Sequence, residues 1–204
     1  MLSKYGAADY VFQLITVTAG VLIALMIDGL VDWKSTRDLV ADARAAIRRE
    51  VADNLKEMEG RPKAIQKAND DIDNALKFAK DLVATGKTDI NELNVRFDLA
   101  TLNESSWRSA ERTGALAHMP YDEVKQYSEL YAFQDLFTTQ QRQAVDLVTS
   151  AIVIAAEDPT KASKEDLMRF RDQLRSLKAT VYVTDQLGTQ LVEAYRKFLQ
   201  TGKH

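Results

Sequence analysis

Apolar residues along this chain fall into one unbroken block followed by several amphipathic stretches. The block is VFQLITVTAGVLIALMIDGLVDW, Val11 to Trp33. From Tyr10 to Ile27 it holds 18 residues without a charge, which as a helix extend roughly 27 Å, close to the thickness of a bilayer core. Beyond it, Val40, Ala43, Ile47, Val51, Leu55 and Met58 recur every three or four positions, the spacing that lines one face of an amphipathic helix. Gly60 and Pro62 predict its end. Ile65, Ala68, Ile72, Leu76, Ala79 and Val83 mark a second helix with Gly86 as its stop, so two antiparallel helices joined by a tight turn are expected.

Residues 87–104 have no clear period and read as a crossover segment, holding either a short helix or an extended piece. Ser105 or Ser106 can cap a short helix through Trp107 and Ala110 that stops at Gly114, before a break at His118-Met119-Pro120. From Tyr121 to Ala156, Val124, Tyr127, Tyr131, Val145, Val148 and Ile152 share one face, and TTQQRQ at 138–143 interrupts it, predicting a kink or an opening. Ser163 begins S-K-E-D, a capping-box-like start with Asp166 at the third helical position. The last helix reads Leu167, Phe170, Leu174, Leu177, Val181, Thr184, Gly188, Leu191, Tyr195 and Phe198, alternating three and four. Such a pattern is a coiled-coil-like seam. Its core positions Leu174, Leu177, Val181, Thr184, Gly188 and Leu191 thin out at Thr184 and Gly188, so a facing side chain must fill the gap or a partner backbone must come close.

These elements predict an all-α chain: a tail and single transmembrane helix at 1–33, then an antiparallel four-helix-bundle-like domain at 34–204 with coiled-coil-type packing. Composition agrees, since only eight glycines and three prolines punctuate a chain of 204 residues. Tyr5 and Tyr10 before the block and Trp33 at its far end stand where amphipathic rings favour headgroups. A cleaved signal peptide fits poorly, because Lys4 is the lone early base and Ala24-Leu25-Met26 is a weak cleavage site. Thr16, Gly20 and Ala24 recur every four residues, with Asp28 and Asp32 continuing the face. A stripe of this kind lets helix backbones approach closely in lipid, so Thr16, Gly20, Ala24 and Asp28 are the expected helix-packing residues.

The run GVLIALMID, Gly20 to Asp28, resembles the first helix of a widespread group of bacterial single-pass membrane proteins of unknown function. Those helices carry Gly-Ile-Leu-Ile-Ala-Leu, then Gln, a hydrophobic residue, two Asn and Trp. Here Met26 stands at the Gln position, Asp28-Gly29 at the Asn pair and Leu30 at the Trp. WRSAERTGAL, Trp107 to Leu116, is similar to a helix end in the soluble part of the same group. The resemblance implies a bundle outside the cytoplasm of a bacterial inner membrane, because the group commonly has a basic N-terminus. The charges here pull the other way: Lys34, Arg37, Arg44, Arg48 and Arg49 follow the span, which under the positive-inside rule places the bundle in the cytoplasm. Asp32, Asp38, Asp42 and Glu50 interleave with those bases, and the periplasmic side is the expected one.

A net charge of -3, from 27 basic and 30 acidic residues, argues against a nucleic-acid partner. The absence of cysteine removes disulfides, thiolate metal sites and cysteine nucleophiles together. His118 and His204 are the only histidines, and no metal-binding spacing surrounds them. TGKT at 85–88 lacks the first glycine of a phosphate loop and reads as a helix stop. The acids Asp70, Asp71 and Asp73, and Glu165-Asp166, fit a solvated helix face better than acid-base chemistry. Tyr127, Tyr131, Phe133 and Phe137 form an aromatic group that fits a core better than a pigment or quinone site. No catalytic, metal or cofactor residue is expected. The expected role is a non-catalytic accessory or scaffold subunit of a larger membrane complex, of respiratory or photosynthetic type, held through membrane helix and bundle, with self-association open. The alternative is a membrane-anchored sensory or ligand-binding module.

Overall fold

The structure, a computed structural model, describes residues 7–90, 94–155 and 162–201. All regular structure among them is helical: α1 (Ala7–Glu57), α2 (Arg61–Thr85), α3 (Ser105–Arg112), α4 (Tyr121–Ala155) and α5 (Lys164–Thr201), with short 3-10 turns at Met58–Gly60 and Ala115–His118. Helix α1 changes character along its length. Residues 11–35 are exposed on every side, and a helix apolar all round is one built for lipid or a core. From Val40 onward the three-four pattern takes over, and Val40, Ile47, Val51 and Met58 are buried.

The hairpin expected at Gly60 and Pro62 does not form. Glu57, Gly60 and Arg61 all keep right-handed helical dihedrals, with φ of -57°, -76° and -59°. The chain therefore passes through one tightened turn and continues, giving a helical path of 75 residues from Val11 to Thr85, about 110 Å long at 1.5 Å per residue. Pro62 sits in the first turn of α2, where a missing N–H costs little. Gly60 permits a reversal without demanding one.

Cross-helix pairs define how the remaining helices lie. Arg48 donates to the Leu199 carbonyl, Arg61 pairs with Asp185, and Lys178 pairs with Asp73, so α5 runs antiparallel to the α1–α2 rod. Arg44 pairs with Glu123, Tyr131 bonds Glu50, and Asn54 bonds Gln134, so α4 runs parallel to that rod. The long helices thus form three rods side by side, where the sequence pattern predicts four. The reason is that the first two amphipathic segments lie end to end. Most of each predicted face is buried, with Ala43, Leu55, Leu76 and Val83 only half-buried and Ala75, Phe78 and Leu82 completing the face of α2; Ile65 and Ile72 pack with Leu177 and Val181 of α5, and Ala79 with Leu174.

Helix α4 runs through residues 138–143 as one element, without the expected interruption. Its buried face is Tyr127, Tyr131, Gln134, Phe137, Gln141, Ala144 and Ala151. Two glutamines stand at core positions, which hides the stripe from a hydrophobicity reading; Ile152, expected inside, is exposed, and Ala151 takes its place. The helix ends follow local chemistry. Gly86 and Gly114 adopt the left-handed conformation, at φ 67° and 76°, which costs glycine nothing. Ser163 Oγ accepts from the Asp166 N–H at 3.1 Å and donates to the Asp166 carboxylate at 2.6 Å, closing the predicted cap of α5.

The two glycines at the ends of α2 should respond oppositely to alanine. Gly60 is helical with open space beyond its α-carbon, so Gly60→Ala should raise stability by about 0.5–1 kcal/mol. Gly86→Ala forces a side chain into the left-handed region and should lower stability by about 1 kcal/mol. Denaturant unfolding of the two variants in detergent checks both signs; a large loss for Gly60→Ala would restore the hairpin.

Candidate functional site

The predicted membrane-packing residues are where the stripe places them. Thr16, Gly20, Ala24 and Asp28 are all exposed on α1, and a β-carbon added at Gly20 meets nothing within 4 Å. Thr16 Oγ1 donates back to the Phe12 carbonyl at 2.9 Å, which removes a lone hydroxyl from the apolar surface. Among the described residues the stripe has no covering element.

The seam residues Leu174, Leu177, Val181, Thr184, Gly188 and Leu191 are buried. The thin stretch is filled by a facing side chain, that of Arg61. A β-carbon at Gly188 would lie 2.6 Å from Arg61 Nε and closer still to its central carbon, so the guanidinium occupies the space a side chain would take. There Arg61 donates to the Thr184 carbonyl at 2.6 Å and to Asp185 Oδ1 at 2.9 Å. It also stacks 5.3 Å from the centre of the Phe137 ring, a cation–π arrangement. Burial pushes its pKa down and the Asp185 carboxylate pulls it back up; with an intrinsic value this high it stays charged. Beside it lies an open groove of about 640 Å³, lined partly by Gln66, Asn69, Asp70, Glu193 and Arg196.

A second polar constellation was not legible in the sequence. Glu50 is buried, and its carboxylate accepts from Tyr131 Oη at 2.6 Å, Ser105 Oγ at 2.9 Å and the Ser106 N–H at 2.8 Å. Ser105 therefore does not cap α3, as its position suggested. The cap comes from α1, because Glu50 offers a charged acceptor to the helix N-terminus, which a carboxylate satisfies better than a hydroxyl. One turn along, Asn54 accepts from the Asn103 N–H and donates to the Asn103 carbonyl, both at 2.8 Å, and donates to Gln134 at 3.1 Å. Tyr195 donates to Gln134 at 2.5 Å. Gln141 grips Ala100 in the same two-bond manner, at 2.8 and 3.1 Å. These side chains act as a substitute strand edge for a segment, 94–104, that has no regular structure.

The aromatic group joins this network. Trp107 stacks on Tyr131 with centroids 5.5 Å apart, and Tyr127 meets Phe198 edge-on. Burial, followed by hydrogen bonding to a carboxylate, raises the Tyr127 and Tyr131 hydroxyl pKa values well above the phenolic range; burial likewise raises Tyr195. All three are donors at any physiological pH and poor nucleophiles or bases. Each hydrogen bond of this network holds one segment of the chain against another. Asp73 is engaged by Lys178, and the described residues contain no group of three acids or histidines able to hold a metal. Searches among protein families, curated proteins and solved structures find no match to this chain.

Placing a methyl group under the guanidinium should be costly. Gly188→Ala should lose about 2 kcal/mol by overpacking, and Arg61→Met in the same chain should recover part of it; additive losses in that double-mutant cycle would show that the two residues do not compete for one space. At the end of the bundle nearest the apolar stretch, hydrogen bonding to Arg44 holds the Glu123 carboxyl below the usual range. A depressed folded-state pKa means its stabilisation is complete above the ordinary carboxylate pKa and is lost as pH falls through the folded value. Glu123→Gln should therefore flatten the acid limb of a stability–pH curve, and an unchanged limb would show that the pair contributes nothing.

Proposed function

We propose that this chain is a non-catalytic, single-pass subunit of a bacterial inner-membrane assembly, with residues 11–33 in the bilayer and the helical bundle held rigidly above it on the periplasmic side. The observation that carries this reading is the continuity of α1. One helix presents an apolar surface on all sides, with Val11, Phe12, Leu14, Ile15, Leu22, Met26 and Leu30 more than half exposed, and then runs unbroken into the packed rod. One helix of this length and hydropathy suits a bilayer, and an uninterrupted helix fixes the height of the bundle above it. The stripe of Thr16, Gly20 and Ala24 then faces another membrane helix, belonging to a larger complex of respiratory or photosynthetic type or to a second copy. The polar network supports a scaffolding role, since its groups are committed to holding α3 and the crossover segment.

A second reading, a sensory or ligand-binding module, draws on the groove beside Arg61. It is lined by amides and charges of both signs, as a small polar ligand requires, and it sits against the continuous helix that leads to the membrane.

Gentle detergent extraction followed by sizing and identification of co-migrating chains separates the two. Stoichiometric partners that are lost in a Gly20→Leu variant, with the bundle still folded, are expected for the subunit; a lone monomer that gains thermal stability from a small ligand would overturn it in favour of the sensor. Protease protection in spheroplasts tests the side: cleavage of the bundle before lysis is expected.

A further inference from the structure

Just beyond the apolar block, α1 and the turn that precedes α4 border an open pocket of about 260 Å³ lined by Trp33, Thr36, Arg37, Val40, Arg44 and His118. We infer that this pocket holds the phosphate of an anionic phospholipid, so that the base of the bundle is fastened to the membrane surface by lipid as well as by its helix. The inference rests on the membrane reading above.

Depth is the first argument. At 1.5 Å per residue, Thr36 and Arg37 lie about 4.5–6 Å past Trp33 along α1, and headgroups fill roughly the first 5–7 Å outside the hydrocarbon. The floor of the pocket is therefore at headgroup level when Trp33 sits at the interface. Charge is the second. A helix turns about 100° per residue, so Thr36, Arg37, Val40 and Arg44 fall within about 60° of Trp33, whereas Asp38 and Asp42 fall about 140° and 180° away and Asp32 about 100° to the flank. The acids that interleave with the bases in sequence thus separate from them in space.

Donor geometry is the third argument. Arg44 gives its Nε and Nη2 to Glu123, at 2.7 and 2.6 Å, which cancels that charge but leaves the Nη1 edge of the fork open. Arg37 lies with its central carbon 5.5 Å from the centre of the Trp33 ring. The ring positions its guanidinium, whose N–H donors radiate in its own plane. Thr36 adds a hydroxyl and His118, carried in by the turn Ala115–His118, adds an imidazole. An anion bridging Arg37 and His118 would join two elements 81 residues apart, tying the base of α4 to the interfacial stretch of α1.

The test uses the full chain in nanodiscs of phosphatidylcholine doped with chain-brominated phosphatidylglycerol or, in parallel, chain-brominated phosphatidylcholine. Trp33 fluorescence is read, with Trp33→Phe supplying the background from Trp107. Phosphatidylglycerol should quench Trp33 at roughly fivefold lower mole fraction than phosphatidylcholine, the preference expected of about one basic residue at an anionic surface. Arg37→Gln and His118→Gln should each reduce that preference and together abolish it, while circular dichroism stays unchanged. Equal quenching by the two lipids, or a preference that survives both substitutions, overturns the lipid site and leaves the membrane anchor standing. Relief of quenching by millimolar inorganic phosphate would assign the pocket to a free anion and overturn the lipid. Absence of quenching by either lipid would remove Trp33 from the bilayer and overturn both readings.

Discussion

The middle of this molecule is held by one guanidinium in the place of a side chain. Where the helical rod loses its regular bonding, at Gly60 and Pro62, the next charged group is Arg61, and it reaches across to the bare backbone at Gly188. A buried charge is tolerable only if its donors are used, and here the Thr184 carbonyl, the Asp185 carboxylate and the Phe137 ring use them. The contact sets the register of α5 against the rod at its midpoint. Asp73–Lys178 on one side and Arg48–Leu199 on the other are then in step along the two helices.

The buried polar groups around Glu50 solve a different problem. Residues 94–104 cross the bundle without helix or strand, and a chain without its own ladder must find partners for its N–H and C=O groups elsewhere. Asn54 and Gln141 provide them through paired amide bonds to Asn103 and Ala100, and Glu50 does so for the start of α3. Four polar residues at core positions, Glu50 and Asn54 of α1 and Gln134 and Gln141 of α4, are used to place one covering segment. The Glu50 carboxylate thus fastens the start of α3 and Tyr131 of α4 to α1.

The consequence for function lies in the rod. A helix that leaves the apolar stretch and enters the bundle without a break transmits position, and a rigid arm is what a docking subunit requires. The small-residue stripe at the start of the helical path and the groove beside Arg61 near its middle are separate surfaces. The pocket at Trp33 and Arg37 lies between them, and a lipid headgroup held there, as proposed, would resist tilting of the arm.

Periodicity and local end signals by themselves determined the helical class, the apolar first helix, the stops at Gly86 and Gly114, the cap at Ser163, the buried face of α5 and most of those of α1 and α2. Each depends on interactions within one or two turns or on a repeating face, and these are written locally. Whether Gly60 and Pro62 reverse the chain was decided by tertiary structure, because both residues are as compatible with a first helical turn as with a hairpin. The same holds for Gln141, which lies in the stretch 138–143 that reads as an interruption until the Ala100 backbone it serves is placed beside it. Glu50 resembled one more charge in a solvated run, and only the approach of Ser105 and Tyr131, 55 and 81 residues away, made it a buried anchor. The thin seam at Thr184 and Gly188 announced that something must fill it; that the occupant is Arg61 depended on an antiparallel register that no local pattern encodes.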